Sequence, residues 1–318
     1  MSQIVISHSE LESAQRCPMQ HRLGYIERWR KDKSESSAAG IGTLWHEILA
    51  AHYLQIKKAQ DAASLRDLHW TTYEETDVLE RSATAVQKIL KRVSDQEVAD
   101  KLRWMYTGHV SKYGTDREWR IDGIEYFGMV PLKSEHAWRL PRLREDIHND
   151  DLFQFKYWVD LLVTDLKGRT WVVDHKSVHN MPNNLDIDLD SQFDRYTWAL
   201  QLEGTQVFGQ IHSYARRRET KKEQLLDDRF KREMTHRSKT ELTSVANDMF
   251  LTAYQRYQQN DQLTSFGIET PRHTSARHCN FVCDYTTACF MGRKGLDTRE
   301  YLHDLGFRQG APRHEGSR

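Results

Sequence analysis

Two runs rich in aromatic and β-branched residues, 153–164 (FQFKYWVDLLVT) and 170–178 (TWVVDHKSV), follow one another with only a short turn between them. Such runs predict strands, and Gly168 in the connecting TDLKG suits a hairpin turn. The second run is therefore expected to fold back beside the first. Asp160 stands near the middle of the first run, among Trp158, Val159, Leu161 and Leu162. A carboxylate embedded in apolar sequence is costly unless it is paired or bound to metal. In the second run Asp174 and Lys176 are two residues apart, so their side chains share one face of a strand. Two carboxylates and a cation are thus expected to converge. Asp-x-Lys alone is common by chance, and a plain salt bridge between Asp160 and Lys176 is the metal-free alternative.

The rest of the chain is expected to wrap this hairpin as an α/β fold. Residues 9–25 read as helix, with Ser9 and Glu12 at capping-box spacing and Pro18 suited to begin a further turn after Cys17. Residues 34–39 (SESSAA) read as a loop, and a longer helix is expected after a Gly42–Thr43 turn. Val78, Leu79, Val86, Ile89, Leu90 and Val93 recur at helical spacing within a helical stretch, 72–106. Strands are predicted over 118–130 and 135–143, a helix over 191–202, a strand over 205–214, and a polar helical stretch over 216–260. No repeat or Pro/Gly/Ser-rich linker divides the 318 residues. We therefore expect one domain over 1–318, with a helical part (1–110), a catalytic core (111–215), a helical insertion (216–270) and a cysteine-containing tail (271–318).

Lysine plus arginine equals aspartate plus glutamate, 46 of each, so net charge does not mark a nucleic-acid binder. Locally, 216–241 carries ten basic against six acidic residues, and 16–33 carries six against two. Either patch can hold phosphate, and either can be a solvated helix face. No run of eighteen apolar residues occurs, so no membrane span is expected. The start, MSQIVISHSELES, lacks a basic region followed by an apolar run, which makes the cytoplasm the default location.

Upstream of the hairpin, GTLWHEIL places His46 early in a helix, and imidazole is a ligand for Mn²⁺ and similar ions. Downstream, DSQFDRYTWALQ sets Gln192 and Tyr196 four apart, on one face of a helix. Each of these residues alone is more often structural.

Taken in order, Gly-Thr-x-x-His, an aspartate strand, Asp-x-Lys and Gln-x-x-x-Tyr resemble the PD-(D/E)XK nuclease superfamily. The similarity is to its RecB-like branch, which includes CRISPR-associated exonucleases and AddB-type helicase–nuclease subunits. The resemblance implies a restriction-endonuclease-like core sheet flanked by helices. It implies that His46, Asp160 and Asp174 bind Mg²⁺ or Mn²⁺, that Lys176 serves catalysis, and that Gln192 and Tyr196 support the site and the DNA. Glu135 is a candidate acidic helper. The second acidic position, often Glu in that family, is Asp174 here. Exonuclease action on DNA, at single-stranded or free ends, follows by the same resemblance, in recombination, repair or phage/CRISPR processing, with a possible recombination or helicase partner. Trp158, Trp171, Trp198 and Tyr196 are candidates for base stacking, although core packing suits most of them better.

Cys279, Cys283 and Cys289 cluster near the C-terminus, while Cys17 is separated from Cys279 by 261 intervening residues. Four thiolates hold either an iron–sulfur cluster or zinc. The isolated ligand is unlike paired zinc knuckles, so iron–sulfur ranks ahead of zinc, and zinc ahead of free thiols. One cysteine early and three late resembles the iron–sulfur staple of the RecB-like branch, which implies a [4Fe–4S] cluster. Two rivals remain: a DNA-binding module with a vestigial nuclease site, and a zinc-stapled interaction subunit of a recombination complex.

Overall fold

The computed structural model describes residues 4–32, 34–133, 153–218, 225–265, 270–272, 276–281 and 283–310. In chain order the elements begin with β1 (Ile4–Ser7), α1 (His8–Arg16), α2 (Pro18–His21), a π-helical turn (Arg22–Ile26) and β2 (Trp29–Arg30). Three helices follow, α3 (Ala38–Ser64), α4 (Glu75–Leu90) and α5 (Gln96–Tyr113). Next come β3 (Trp119–Leu132), β4 (Phe153–Asp165), β5 (Thr170–Val178), α6 (Asn184–Asp188), α7 (Ser191–Leu202) and β6 (Val207–Arg216). The remainder is α8 (Leu226–Arg229), β7 (Phe230–Thr235), α9 (Lys239–Ser265), α10 (Ala276–Phe281), α11 (Thr286–Arg293), α12 (Thr298–Asp304) and β8 (Arg308–Gln309). This is a mixed α/β fold with a central mixed sheet and flanking helices, as the sequence pattern implies. Two compact units interleave along the chain: Met1–Asp32, Met129–Tyr157 and Thr243–Arg318 form the first, Lys33–Gly128 and Trp158–Leu242 the second.

The second unit is built on the expected hairpin. Strands β4 and β5 are antiparallel, with Leu161 opposite Val173 and Thr164 opposite Thr170. Gly168, at φ 75°, adopts the left-handed conformation the turn demands. β6 pairs parallel to β5, with Asp174 opposite His212 and Lys176 opposite Tyr214, and β7 pairs antiparallel to β6. Leu161, Val163, Trp171, Val173 and Ile211 join one core with Trp45, Ile48, Leu49 and Ile56 of α3, Val78 and Val86 of α4, and Leu102 and Met105 of α5. The i, i+3, i+4, i+11 spacing of these α3 residues puts them on one apolar stripe. Each such aliphatic burial contributes about 1.5–3 kcal/mol before chain entropy is counted. Because strand side chains alternate, packing residues 161, 163, 171 and 173 into this core sends Asp160, Asp174 and Lys176 to the other side.

Several boundaries differ from the sequence reading. The cap of α1 is Ser7, whose hydroxyl accepts from Glu10 N, because β1 runs directly into the helix; Ser9 lies inside it. Helix α3 starts at Ala38, capped by Ser37, so Gly42 and Thr43 are helical rather than a turn. Gly40 explains the early start: a Cβ there would collide with the Ser34 carbonyl. The helical stretch after residue 72 is two helices, and Asp95 caps the second by accepting from Glu97 N and Val98 N. The polar stretch after 216 contains a strand, β7, where a helix was expected. The strand expected over 135–143 and the candidate Glu135 lie outside the described residues.

In the first unit, β1 pairs parallel to the start of β4, with Ile4 opposite Phe153 and Ser7 opposite Lys156. A small separate core gathers Cys17, Met19, Leu23, Trp29, Ala288, Leu302 and Phe307, so both ends of the sequence meet in it. Pro18 opens α2 at its first turn, where its missing N–H costs nothing. Among the described residues, no helix is long and apolar enough to cross a membrane.

Candidate active site and cysteine cavity

Five of the six residues singled out around the hairpin form two linked pairings on one side of β4 and β5, and the sixth touches them. His46 Nδ1 lies 2.9 Å from Asp160 Oδ1. Asp160 Oδ2 accepts the His175 main-chain N–H at 2.7 Å, which fixes the carboxylate against β5. Lys176 Nζ stands 3.0 Å from Asp174 Oδ2 and 3.5 Å from Asp190 Oδ2. The ion pair of Lys176 is thus with Asp174, its own strand neighbour, and not the Asp160–Lys176 bridge that was the metal-free alternative. Gln192, on the first turn of α7, spans the second pairing: its Nε2 donates to Asp174 Oδ1 at 2.9 Å and its Oε1 accepts from Lys176 Nζ at 2.8 Å. The same Nε2 is 3.3 Å from the Tyr196 hydroxyl one helical turn on. Asp190 caps α7 by accepting from Gln192 N at 3.0 Å, two residues on.

Among the described residues, His46, Glu125 and Asp160 bring ligand atoms to within 4.8 Å of one another. Glu125 was missed by the sequence reading, which looked to Glu135. Its signal was available: a carboxylate inside the strand-like run EWRIDGIEYFGMV, the same argument that selects Asp160. Its backbone sits at φ 49°, a left-handed conformation that non-glycine residues rarely adopt. Strain of that kind costs on the order of 1–3 kcal/mol and concentrates at functional sites.

The electrostatics separate the roles. Burial raises the Asp174 carboxyl, Lys176 opposes this and the Asp160 charge adds to it, leaving Asp174 at about 6. Burial also acts on Asp160, yet His46 and the His175 N–H outweigh it and hold Asp160 below the usual carboxylate range. Burial disfavours the Lys176 charge, but Asp174 and Asp190 overcome it and keep the ammonium well above the ordinary lysine range. Burial likewise raises the Tyr196 phenol, so it stays protonated. A divalent cation suits this donor set: oxygen and imidazole ligands, two carboxylates whose charges oppose one another, and a buried acid that a cation would keep ionised.

Of the aromatics near the motifs, Trp171, Trp198 and Tyr196 are buried, and Trp171 Nε1 donates to Asp165 Oδ2 at 3.0 Å. Trp158 is half-buried and packs on Phe127 with ring centres 4.8 Å apart. The basic stretch after 216 divides in the same way. Arg232 is ion-paired to Asp116 at 2.5 Å, Arg237 to Asp194 at 2.5 Å, and Arg229 lies over the Trp104 ring at 3.7 Å. These three are structural cations, whereas half-buried Arg217 and exposed Arg218 follow the end of β6.

In the first unit, none of Cys17, Cys279, Cys283 and Cys289 is in a disulfide, and all four line one cavity of about 240 Å³, together with His278, Arg272 and Arg293. Burial raises the Cys283 thiol, and it raises Cys289 against the opposing pull of Arg272. Four sulfurs lining one cavity make a donor set of the kind that suits a thiolate-bound metal centre.

A family model described as the PD-(D/E)XK nuclease superfamily matches residues 5–290. No curated protein matches the chain. Among solved structures, the crystal structure of SSO0001 is similar at 11% identity and a TM-score of 0.38, over 90% of this chain and 86% of that one. That likeness is too distant to bear on function.

Proposed function

The chain belongs to the PD-(D/E)XK nuclease superfamily, whose members are metal-dependent nucleases, and from that premise we propose that it is a deoxyribonuclease hydrolysing phosphodiesters as an exonuclease, at single-stranded ends. The observation that carries the reading is the convergence of His46, Glu125, Asp160, Asp174, Lys176 and Gln192 within one side of one sheet.

His46, Glu125, Asp160 and Asp174 are the residues that would hold Mg²⁺ or Mn²⁺. Such an ion supplies Lewis acidity toward water and the scissile phosphate. Lys176 remains charged throughout, so it offsets negative charge developing on the phosphate and does not serve as a proton acceptor. Gln192 holds Asp174 and Lys176 at fixed separation, and the Tyr196 hydroxyl limits rotation of the Gln192 amide. Two charged partners and a fixed amide leave the site with little to reorganise as the reaction proceeds.

The four cysteines would hold a [4Fe–4S] cluster with a structural role. All of them lie in the first unit, whereas His46, Glu125, Asp160, Asp174, Lys176 and Gln192 lie in the second. On this reading the cluster would tie Cys17 to the last fifty residues rather than move electrons in a hydrolysis.

The test is incubation of end-labelled single- and double-stranded DNA with the protein and Mn²⁺, beside a folded Asp174→Ala variant. Stepwise shortening from an end by the parent and none by the variant is expected. Equal degradation by both would overturn the site assignment, and internal cuts on closed circles would overturn the exonuclease reading.

A further inference from the structure

The second unit has a cavity that the catalytic constellation does not use. Its walls come from three elements. The first turn of α3 and Ile41 form one side, and that turn carries no acidic residue. Glu97, Asp100 and Lys101 of α5 form another. His179, just past β5, and Arg217 and Arg218, just past β6, form the third. Because β5 and β6 are parallel, with Val178 opposite Arg216, these three cationic or imidazole groups emerge together from the C-terminal ends of neighbouring strands. Ligands of α/β sheets gather at such strand ends.

The walls are braced. Arg217 Nη1 donates to Ser177 O at 3.0 Å, and Arg217 N donates to Val178 O at 2.9 Å. Arg218 Nη1 lies 3.5 Å from His179 Nε2. The Glu35 carboxylate, just ahead of α3, accepts from Ser94 N, Ser94 Oγ and Asp95 N, which ties that loop to the start of α5. The acidic residues of the wall are paired: Glu97 faces Lys101 of the same wall at 3.8 Å, and Asp100 is bonded to Arg103 and Gln96 outside it. Arg217 and Arg218 have no carboxylate partner among the described residues, so the cavity has cationic charge to spare.

The same strand that ends at this cavity carries Lys176. His179 is three residues further on, about 10 Å along an extended chain. A polyanion whose charges repeat along its length would reach both places, and a single small phosphate would not. Building on the nuclease reading above, we propose that this cavity is a second phosphate subsite, which grips the DNA strand one or two nucleotides from the bond being cut. The ligand chemistry is a strand phosphate, either an internal diester or the terminal monoester.

The test measures binding without catalysis. Anisotropy of a labelled single-stranded oligodeoxynucleotide is titrated in chelator, for the parent chain, for Arg218→Gln, for Lys101→Gln, and for Lys88→Gln, an exposed lysine of α4 outside the cavity. Loss of one charge-assisted phosphate contact is expected to weaken binding roughly tenfold. It should also make the slope of log affinity against log salt shallower by about 0.7. Lys88→Gln should do neither. Oligonucleotides with and without terminal phosphate separate the sources: a loss confined to phosphorylated ends assigns the monoester, and a loss on all of them assigns the diester. Cleavage assays run in parallel should show KM raised and kcat kept for long strands, with no change for a thymidine p-nitrophenyl phosphodiester too short to span both places. Affinity and slope unchanged in both cavity variants would overturn the subsite. Failure of the parent chain to cleave would count against the nuclease reading alone, since the binding result stands without turnover.

Discussion

Gln192 donates to Asp174 through Nε2 at 2.9 Å while accepting from Lys176 at 2.8 Å, so one amide sets the separation of an acid and a base that already form an ion pair. Replacing the amide with alanine removes the spacer but neither charge. Gln192→Ala is therefore expected to lower kcat roughly 10–100-fold, the usual loss for a residue that orients a metal-site group. Tyr196→Ala should cost less, since the phenol touches the amide and not the charges. Asp174→Ala should abolish cleavage. Single-turnover rates at saturating Mn²⁺ rank the three, and a Gln192→Ala enzyme as fast as the parent would reduce the bridge to helix packing.

A second expectation concerns the metal. Burial leaves the Asp174 carboxyl titrating at about 6 when no cation is present. Protons then compete with Mn²⁺ for it, so metal affinity should fall steadily as the pH is lowered through 6 and level off above about 7. Glu125→Gln, which keeps the shape of the third ligand, should weaken Mn²⁺ binding on the order of tenfold or more. Calorimetric titration of Mn²⁺ at several pH values checks both. An affinity indifferent to pH between 5 and 7 would mean that Asp174 is not among the ligands.

Much of this site was legible in the sequence, for a physical reason. Asp160, Asp174 and Lys176 lie on strands whose period of two fixes their side, and a five-residue turn leaves no choice of partner strand. The helix pair Gln192 and Tyr196 is local for the same reason, at a spacing of four. What did not read out was non-local. Glu125 is selected by where β3 pairs, and its left-handed φ has no sequence marker because the residue is not glycine. Strand β7 hid behind its charges: Lys231, Arg232 and Glu233 look like a solvated helix until Asp116 is known to receive Arg232.

That buried pair yields a stability prediction. Arg232 contacts Asp116 through both terminal nitrogens, shares the Tyr53 hydroxyl at 3.2 Å, and stacks over Tyr113 and Trp119 at 3.6 and 4.3 Å. Removing one member strands the other charge, which typically costs 3–5 kcal/mol. Arg232→Met should lower the denaturant midpoint accordingly, and Arg232→Met with Asp116→Asn should recover part of the loss. If the double variant is no more stable than the single one, the cost comes from the aromatic stack and not from the charge.

Buried imidazoles give the pH dependence of folding. Burial holds His52 and His212 near about 4, and His109 well below its ordinary value. Each is neutral in the folded chain and takes up a proton near pH 6.5 when unfolded. Between those values the unfolded state binds more protons, so stability rises with pH. It should be fully present above 6.5 and drain away as the pH falls from 6.5 toward 4. Urea midpoints at pH 7, 6 and 5 measure this. A midpoint flat over that range in the parent, or unaltered in slope by His109→Phe, would contradict it.

The cysteine cavity carries the last expectation. Cys17 is buried in the small core that also holds Ala288 and Leu302, and the three late cysteines share its cavity. A centre bound by all four closes a loop of 261 intervening residues. Cross-linking over so long a loop restricts the unfolded chain by about 5–6 kcal/mol in the chain-entropy treatment, before any strain is subtracted. Protein purified without oxygen should therefore be brown and carry iron and sulfide. Cys17→Ser should lose that colour and melt roughly 5–15 °C lower for a chain of this size. Its residual cleavage, measured well below the melting point, should keep the parent's Mn²⁺ dependence, because no catalytic group has been touched. Zinc in place of iron would overturn the cluster and leave the staple intact. A Cys17→Ser variant with full iron and an unchanged melting point would overturn the staple, since the three late cysteines would then hold the centre without the first helix.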